Sequence, residues 1–140
     1  MTHELDPVLG RIAEALERLA PGQPAQPDFD QARLFRHDPA TGAFHPAPDY
    51  PLPLQALVGV DRQRDRFLEN LQRFASGLPS NHALLWGVRG AGKSSLAKAA
   101  FMAVSEEHRS LKLIEVDRDE VTALPVLFDA LPQCPENVFA

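Results

Sequence analysis

The feature that most restricts this chain is the octet Gly87-Val88-Arg89-Gly90-Ala91-Gly92-Lys93-Ser94. Gly87 and Gly92 stand five positions apart, and Lys93 and Ser94 follow directly. This is the spacing of a phosphate-binding loop, which has to join a strand to a helix. Each residue type has a physical role in that pattern. Glycines reach backbone angles closed to other residues and let the main chain approach oxygen anions. Successive amides then converge on one concavity, and the helix that follows adds the positive end of its dipole. A lysine at position 93 would reach the β- and γ-phosphates of a nucleotide, and the Ser94 hydroxyl would join the shell of a magnesium ion. A chance match in a chain of this size has odds of roughly half a per cent.

The flanks supply what such a loop demands. Residues 82–86 (HALLW) form an apolar run of strand length. Residues 93–108 read as a helix with Leu96, Ala97, Ala100, Phe101 and Val104 on one face. Trp86, beside the loop, is expected to pack in the core. Upstream, residues 61–76 read as another helix, with Phe67, Leu68, Leu71 and Phe74 as its apolar stripe and Gly77 placed to close it with a left-handed cap. Its Arg62, Arg64, Arg66 and Arg73 alternate with Asp61, Asp65 and Glu69, the pattern of a solvated, ion-paired face rather than of a phosphate or nucleic-acid patch. Residues 111–116 are the next strand candidate, and residues 124–131 a short helix ended by Pro132. Residues 137–140 look like the first step into a further apolar strand.

The front of the chain obeys different constraints. Of 13 prolines, nine fall in the first 53 residues, and each removes a backbone donor and fixes φ. The expected division is therefore near Pro53. Residues 1–53 hold a helix, a short hairpin and a Pro-rich connector, and residues 54–140 hold an α/β part. The helix spans residues 5–19, where Leu5, Val8, Leu9, Ile12, Leu16 and Leu19 recur at helical spacing between Asp6-Pro7 and Pro21-Gly22. The hairpin would pair residues 32–37 with a strand starting at Phe44, across the turn signal Asp38-Pro39-Ala40-Thr41-Gly42.

Composition excludes several classes. Lys plus Arg is 14 and Asp plus Glu is 19, a net charge of −5, so sequence-independent binding to nucleic acid is not indicated. One cysteine, Cys134, allows no internal disulfide and fits a reducing compartment. No apolar run has the length of a membrane span, and the start MTHELDP lacks the features of a secretory signal, so a cytoplasmic protein is expected. The five histidines show no metal-ligand spacing with one another or with Cys134.

Residues 57–63 (LVGVDRQ), the helix through Asn70, residues 84–99 (LLWGVRGAGKSSLAKA) and residues 111–125 (LKLIEVDRDEVTALP) together resemble a bacterial AAA-type ATPase family, domain of unknown function 815. The resemblance covers roughly residues 53–140 and, more faintly, the Pro-rich front. It implies the N-terminal part of a P-loop NTPase domain of AAA type, an α/β parallel sheet here preceded by a helix and a Pro-rich irregular segment. It implies ATP and magnesium as ligands, held by Gly87, Val88, Arg89, Gly90, Ala91, Gly92, Lys93, Ser94 and Ser95, with Val58 and Gly59 near the adenine ring. Gly90-Ala91-Gly92 departs from the family's more usual Gly-Thr-Gly, a change that keeps the amides. The complete family protein would hydrolyse ATP, act on a protein client that the sequence does not name, and have the option of a homo-oligomer.

The resemblance also implies a chain that stops as the strand carrying the magnesium-organising acids begins, so no catalytic residue is assigned. Glu115, Asp117, Asp119 and Glu120 mimic such a site but are better read as a solvated loop. In AAA-type sheets the 82–86 and 111–116 strands are separated by later ones. Neither is then expected to find a neighbour, and the isolated chain is expected to be marginal in stability. Two other functions compete with an ATPase. One is a nucleotide-binding or interaction fragment without catalysis, and the other is a P-loop phosphotransferase acting on a small molecule.

Overall fold

The computed structural model describes residues 28–131 and 138–139. The helix expected over residues 5–19, His3 and Cys134 lie outside the described residues.

The hairpin forms where the proline count would discourage structure. Strand β1 (Leu34–Asp38) and strand β2 (Ala43–Ala47) pair antiparallel, with Leu34 opposite Ala47 and Asp38 opposite Ala43. Asp38 makes the turn. Its carboxylate accepts the Ala40 amide at 2.9 Å and the Thr41 hydroxyl at 2.8 Å, and the Gly42 amide closes onto the Asp38 carbonyl at 2.7 Å. Pro46 is tolerated because β2 is an edge strand, where a missing donor breaks no ladder. Phe29 packs edge-on against Phe35 (5.0 Å, 76°) and tilted against Phe44 (5.5 Å), contacts of about 0.5–1.5 kcal/mol each beyond their burial.

Helix α1 (Asp61–Ala75) ends as its sequence predicts. Gly77 has φ +68°, and the Leu78 and Gly77 amides reach back to the carbonyls of Arg73 and Phe74 at 2.9 and 3.0 Å. That pair of bonds is a Schellman cap. Helix α2 (Lys93–Ser105) buries Leu96, Ala99, Ala100, Phe101 and Val104. Strand β3 (Leu111–Glu115) follows, then a 3₁₀ turn over Arg118–Ala123 and helix α3 (Leu124–Ala130). Strand β4 (Val138–Phe139) confirms the expectation of a strand opening there.

The sheet runs β2-β1-β3-β4 and is mixed. This corrects the expectation of a parallel sheet, because the hairpin contributes an antiparallel edge. It also corrects the expectation that residues 111–116 would lack a neighbour. β3 pairs in parallel with β1 on one side (Leu34 with Leu113, Phe35 with Ile114) and with β4 on the other (Leu111 with Val138). The reason is the apolar Leu34-Phe35 pair at the start of β1, which is buried and serves as a sheet partner drawn from the front of the chain. The sheet therefore takes strands from both sides of Pro53. Leu34 and Leu111 join Leu71 of α1 and Ala100, Phe101 and Val104 of α2 in one buried cluster. Arg33 ties the connector to the end of α2. It forms an ion pair with Asp49, donates to Glu106 at 2.6 Å, and is held above its ordinary pKa by the hydrogen bonds to those two carboxylates.

Residues 82–86 are the other correction. They form no strand. Leu84 and Trp86 are 85% and 86% exposed, so Trp86 is not in the core. The physical reason is the absence of a partner among the described residues: without a ladder the run has no pleat, and its apolar side chains have no layer to face. Among the described residues no helix is long and apolar enough to cross a membrane.

Candidate functional site

The glycine loop is fastened at both ends. On its approach, Asn70 of α1 clamps Asn81, its amide donating to the Asn81 carbonyl at 2.6 Å while its oxygen accepts the Asn81 N–H at 2.9 Å. At the far end, Gly92 caps α2 in the left-handed region (φ +78°), and its carbonyl accepts the Leu96 amide at 2.8 Å. Gly90 also lies at positive φ (+82°), a conformation that an L-residue adopts only at a cost of roughly 1–2 kcal/mol. The Ala91 amide folds onto the Val88 carbonyl at 3.3 Å. Lys93 closes the loop on itself, its ammonium donating to the carbonyls of Gly87 at 3.0 Å and Val88 at 2.7 Å. The first amides of α2 have no partner one turn back, so they concentrate positive potential at this end.

A cleft of about 750 Å³ opens beside the loop. Gly90, Ala91, Gly92 and Lys93 form one side of it, with Leu96 beneath. Ala56, Leu57, Val58 and Val60 come from the segment before α1, and Leu84, Leu85 and Trp86 from the segment before the loop. Arg62, Gln63 and Arg66 come from α1 itself. Of the residues the sequence marks for this site, Val58, Gly90, Ala91, Gly92 and Lys93 thus share one cleft. Gly59, Gly87, Val88, Arg89, Ser94 and Ser95 are off its wall, although Gly87 and Val88 are joined to it through Lys93. Val58 is 89% exposed and open to contact. Ser94 is exposed on the first turn of α2. Ser95 is engaged elsewhere, its hydroxyl oxygen accepting the Tyr50 hydroxyl at 3.0 Å.

The electrostatics of the cleft differ from those of the whole chain. Its wall carries Arg62, Arg66 and Lys93 and, among the described residues, no carboxylate. Also on α1, half-buried Arg64 pairs with Asp61 at 2.7 Å and Asp65 at 2.9 Å, and the hydrogen bond it donates to Asp65, chiefly, raises its pKa. Arg62 and Arg66 have no such partner among the described residues. Sequence reasoning merged these arginines into one ion-paired face. The signal that separates them is spacing: residues 62 and 66 lie one turn apart, with Gln63 between them on the same side. Glu115 at the end of β3, and Asp117 and Asp119 after it, do not line the cleft. Glu115 takes Lys98 at 2.5 Å and Arg36 at 3.9 Å instead.

The cleft therefore combines a glycine loop at a helix N-terminus, three cationic side chains and an exposed apolar rim. Such a set can hold a polyanion that also carries a flat apolar group. No curated protein and no solved structure matches the chain. Residues 30–139, which span the hairpin, both long helices and the whole cleft, match the family described as Protein of unknown function (DUF815), and the chain belongs to that family.

Proposed function

We propose that this chain is an ATP-binding domain of AAA type that takes its nucleotide, with magnesium, in the cleft beside the 87–94 loop. The observation that carries the reading is the loop's geometry. Gly90 and Gly92 sit at positive φ immediately before α2, and the Lys93 ammonium is held over the loop by the carbonyls of Gly87 and Val88. The residues fit a triphosphate. The loop amides and the start of α2 would hold phosphate oxygens, and Lys93 would neutralise their charge. Val58 and Leu57 would offer an apolar surface to the adenine ring. Ser94, exposed on the first turn of α2 beside the cleft, would hold the metal through its hydroxyl, and the metal would supply charge screening of the phosphates.

A second reading, binding without turnover, is favoured by the wall of the cleft. Hydrolysis calls for an acid that organises magnesium, and no carboxylate lines the cleft among the described residues. Turnover, a protein client and homo-oligomer formation are further properties that the first reading extends to the whole family protein. The single cysteine supports a cytoplasmic setting.

Equilibrium titration of the chain with Mg-ATP tests the proposal. The expected result is submillimolar affinity, weakened by about 100-fold or more in Lys93→Ala, as loss of a charge-assisted phosphate contact requires. Equal affinity in the two proteins, or none in either, overturns it.

A further inference from the structure

Arg62 and Arg66 stand one turn apart on α1, both exposed and both on the wall of the loop's cleft. Each lacks an ion-pair or hydrogen-bond partner among the described residues, whereas Arg64 between them is fully engaged by Asp61 and Asp65. A chain with five more acidic than basic residues has thus placed two unneutralised guanidinium groups on the wall of the cavity that Lys93 also lines. Like charges gathered without counter-charge raise the free energy of the empty cleft, and an anionic ligand relieves that repulsion. Guanidinium groups suit this because their planar forks bind phosphate oxygens in pairs.

We infer that Arg62 and Arg66 are ligand-binding residues that grip the phosphate chain of the nucleotide from the α1 side, opposite the glycine loop. This rests on the reading of the cleft as a nucleotide site. It also makes α1 part of the recognition surface. The ligand would then be selected for its phosphate chain as well as for its ring.

The test uses the full chain, with Arg62→Gln, Arg66→Gln, the double variant, and Arg109→Gln as a control that removes one exposed charge away from the cleft. Mg-ATP affinity is measured by titration, and inorganic tripolyphosphate is used to displace ATP. Both sites are exposed and unpartnered, so the melts should match the parent. The expected loss of ATP affinity is about fivefold for each single variant and about thirtyfold for the double, with no change in the control. The dissociation constant of tripolyphosphate, obtained from that displacement and the measured ATP affinity, should rise by the same factor in the double variant. Parent-like ATP affinity in the double variant overturns this inference while leaving the nucleotide reading intact. Weaker ATP binding with an unchanged tripolyphosphate dissociation constant also overturns it, since the arginines would then touch the base or ribose. A parent chain that binds no ATP removes the nucleotide reading and this inference with it.

Discussion

Asp38 shows how much one side chain can organise. Its carboxylate accepts the Thr41 hydroxyl and the Ala40 amide, and these bonds, in that order, hold its pKa below the ordinary carboxylate value, with His45 at 3.8 Å a smaller contributor. A depressed pKa in the folded state means that the ionised form stabilises the turn. That contribution is complete above the unfolded value of ~3.9 and is lost as the pH falls through the lower folded value. Asp38→Ala should therefore melt below the wild type at neutral pH, and the gap should close as both are acidified through that window. A gap independent of pH would mean that backbone geometry, and not the charge, holds the turn. Lys93 is a second case at this scale. Its position in the sequence points to phosphate chemistry, but nothing in the sequence says that its ammonium rests on the Gly87 and Val88 carbonyls, because those bonds depend on the path of the whole loop.

At the level of elements, local information carried the helices. α1 and α2 begin and end within a few residues of where periodicity, Asp61, Gly77 and the glycine loop place them. The reason is that a helix satisfies its own backbone, so its stripe and its caps are written within it. Gly77 makes this testable. At φ +68° with open space around it, an added methyl group meets no atom, and the cost of Gly77→Ala is one of backbone conformation alone. We expect a loss of about 1–2 kcal/mol in urea unfolding with unchanged helical content. A neutral or stabilising effect would show that the cap is not formed in solution. Strands were legible only in part, because a strand depends on a neighbour supplied from elsewhere in the chain. Residues 111–115 and the hairpin found partners in each other, and Leu34, Phe35 and Leu111 are buried where they pair. Residues 82–86 carry as good an apolar signal and found none. The same limit explains Arg62 and Arg66, which read as part of a charged surface until the fold brings them onto the wall of the cleft that Lys93 lines.

Over the whole molecule, order is unevenly distributed about the site. One side of α2 rests on the buried cluster that joins Leu34, Leu71, Phe101 and Leu111, and the sheet beneath it is laddered from β2 to β4. On the other side, the segment leading into the loop is held at its ends, by the Asn70–Asn81 clamp and by Lys93. Between these ties the amides of residues 82–87 donate to no group among the described residues, and almost all of that stretch is exposed to water. Backbone groups satisfied by solvent exchange without an opening step, whereas laddered amides such as that of Leu113, bonded to the Arg33 carbonyl at 2.9 Å, exchange only when the sheet opens. Native-state hydrogen exchange should accordingly find residues 82–87 within about tenfold of unstructured rates, and β1 and β3 slower by about a thousandfold or more. Adding Mg-ATP should slow residues 87–95 selectively, since a ligand that binds the folded loop alone stabilises it in proportion to its occupancy. Protection of residues 82–87 equal to that of β3 in the free protein would contradict the unpaired segment described above, and would mean that in solution this run has found a strand partner.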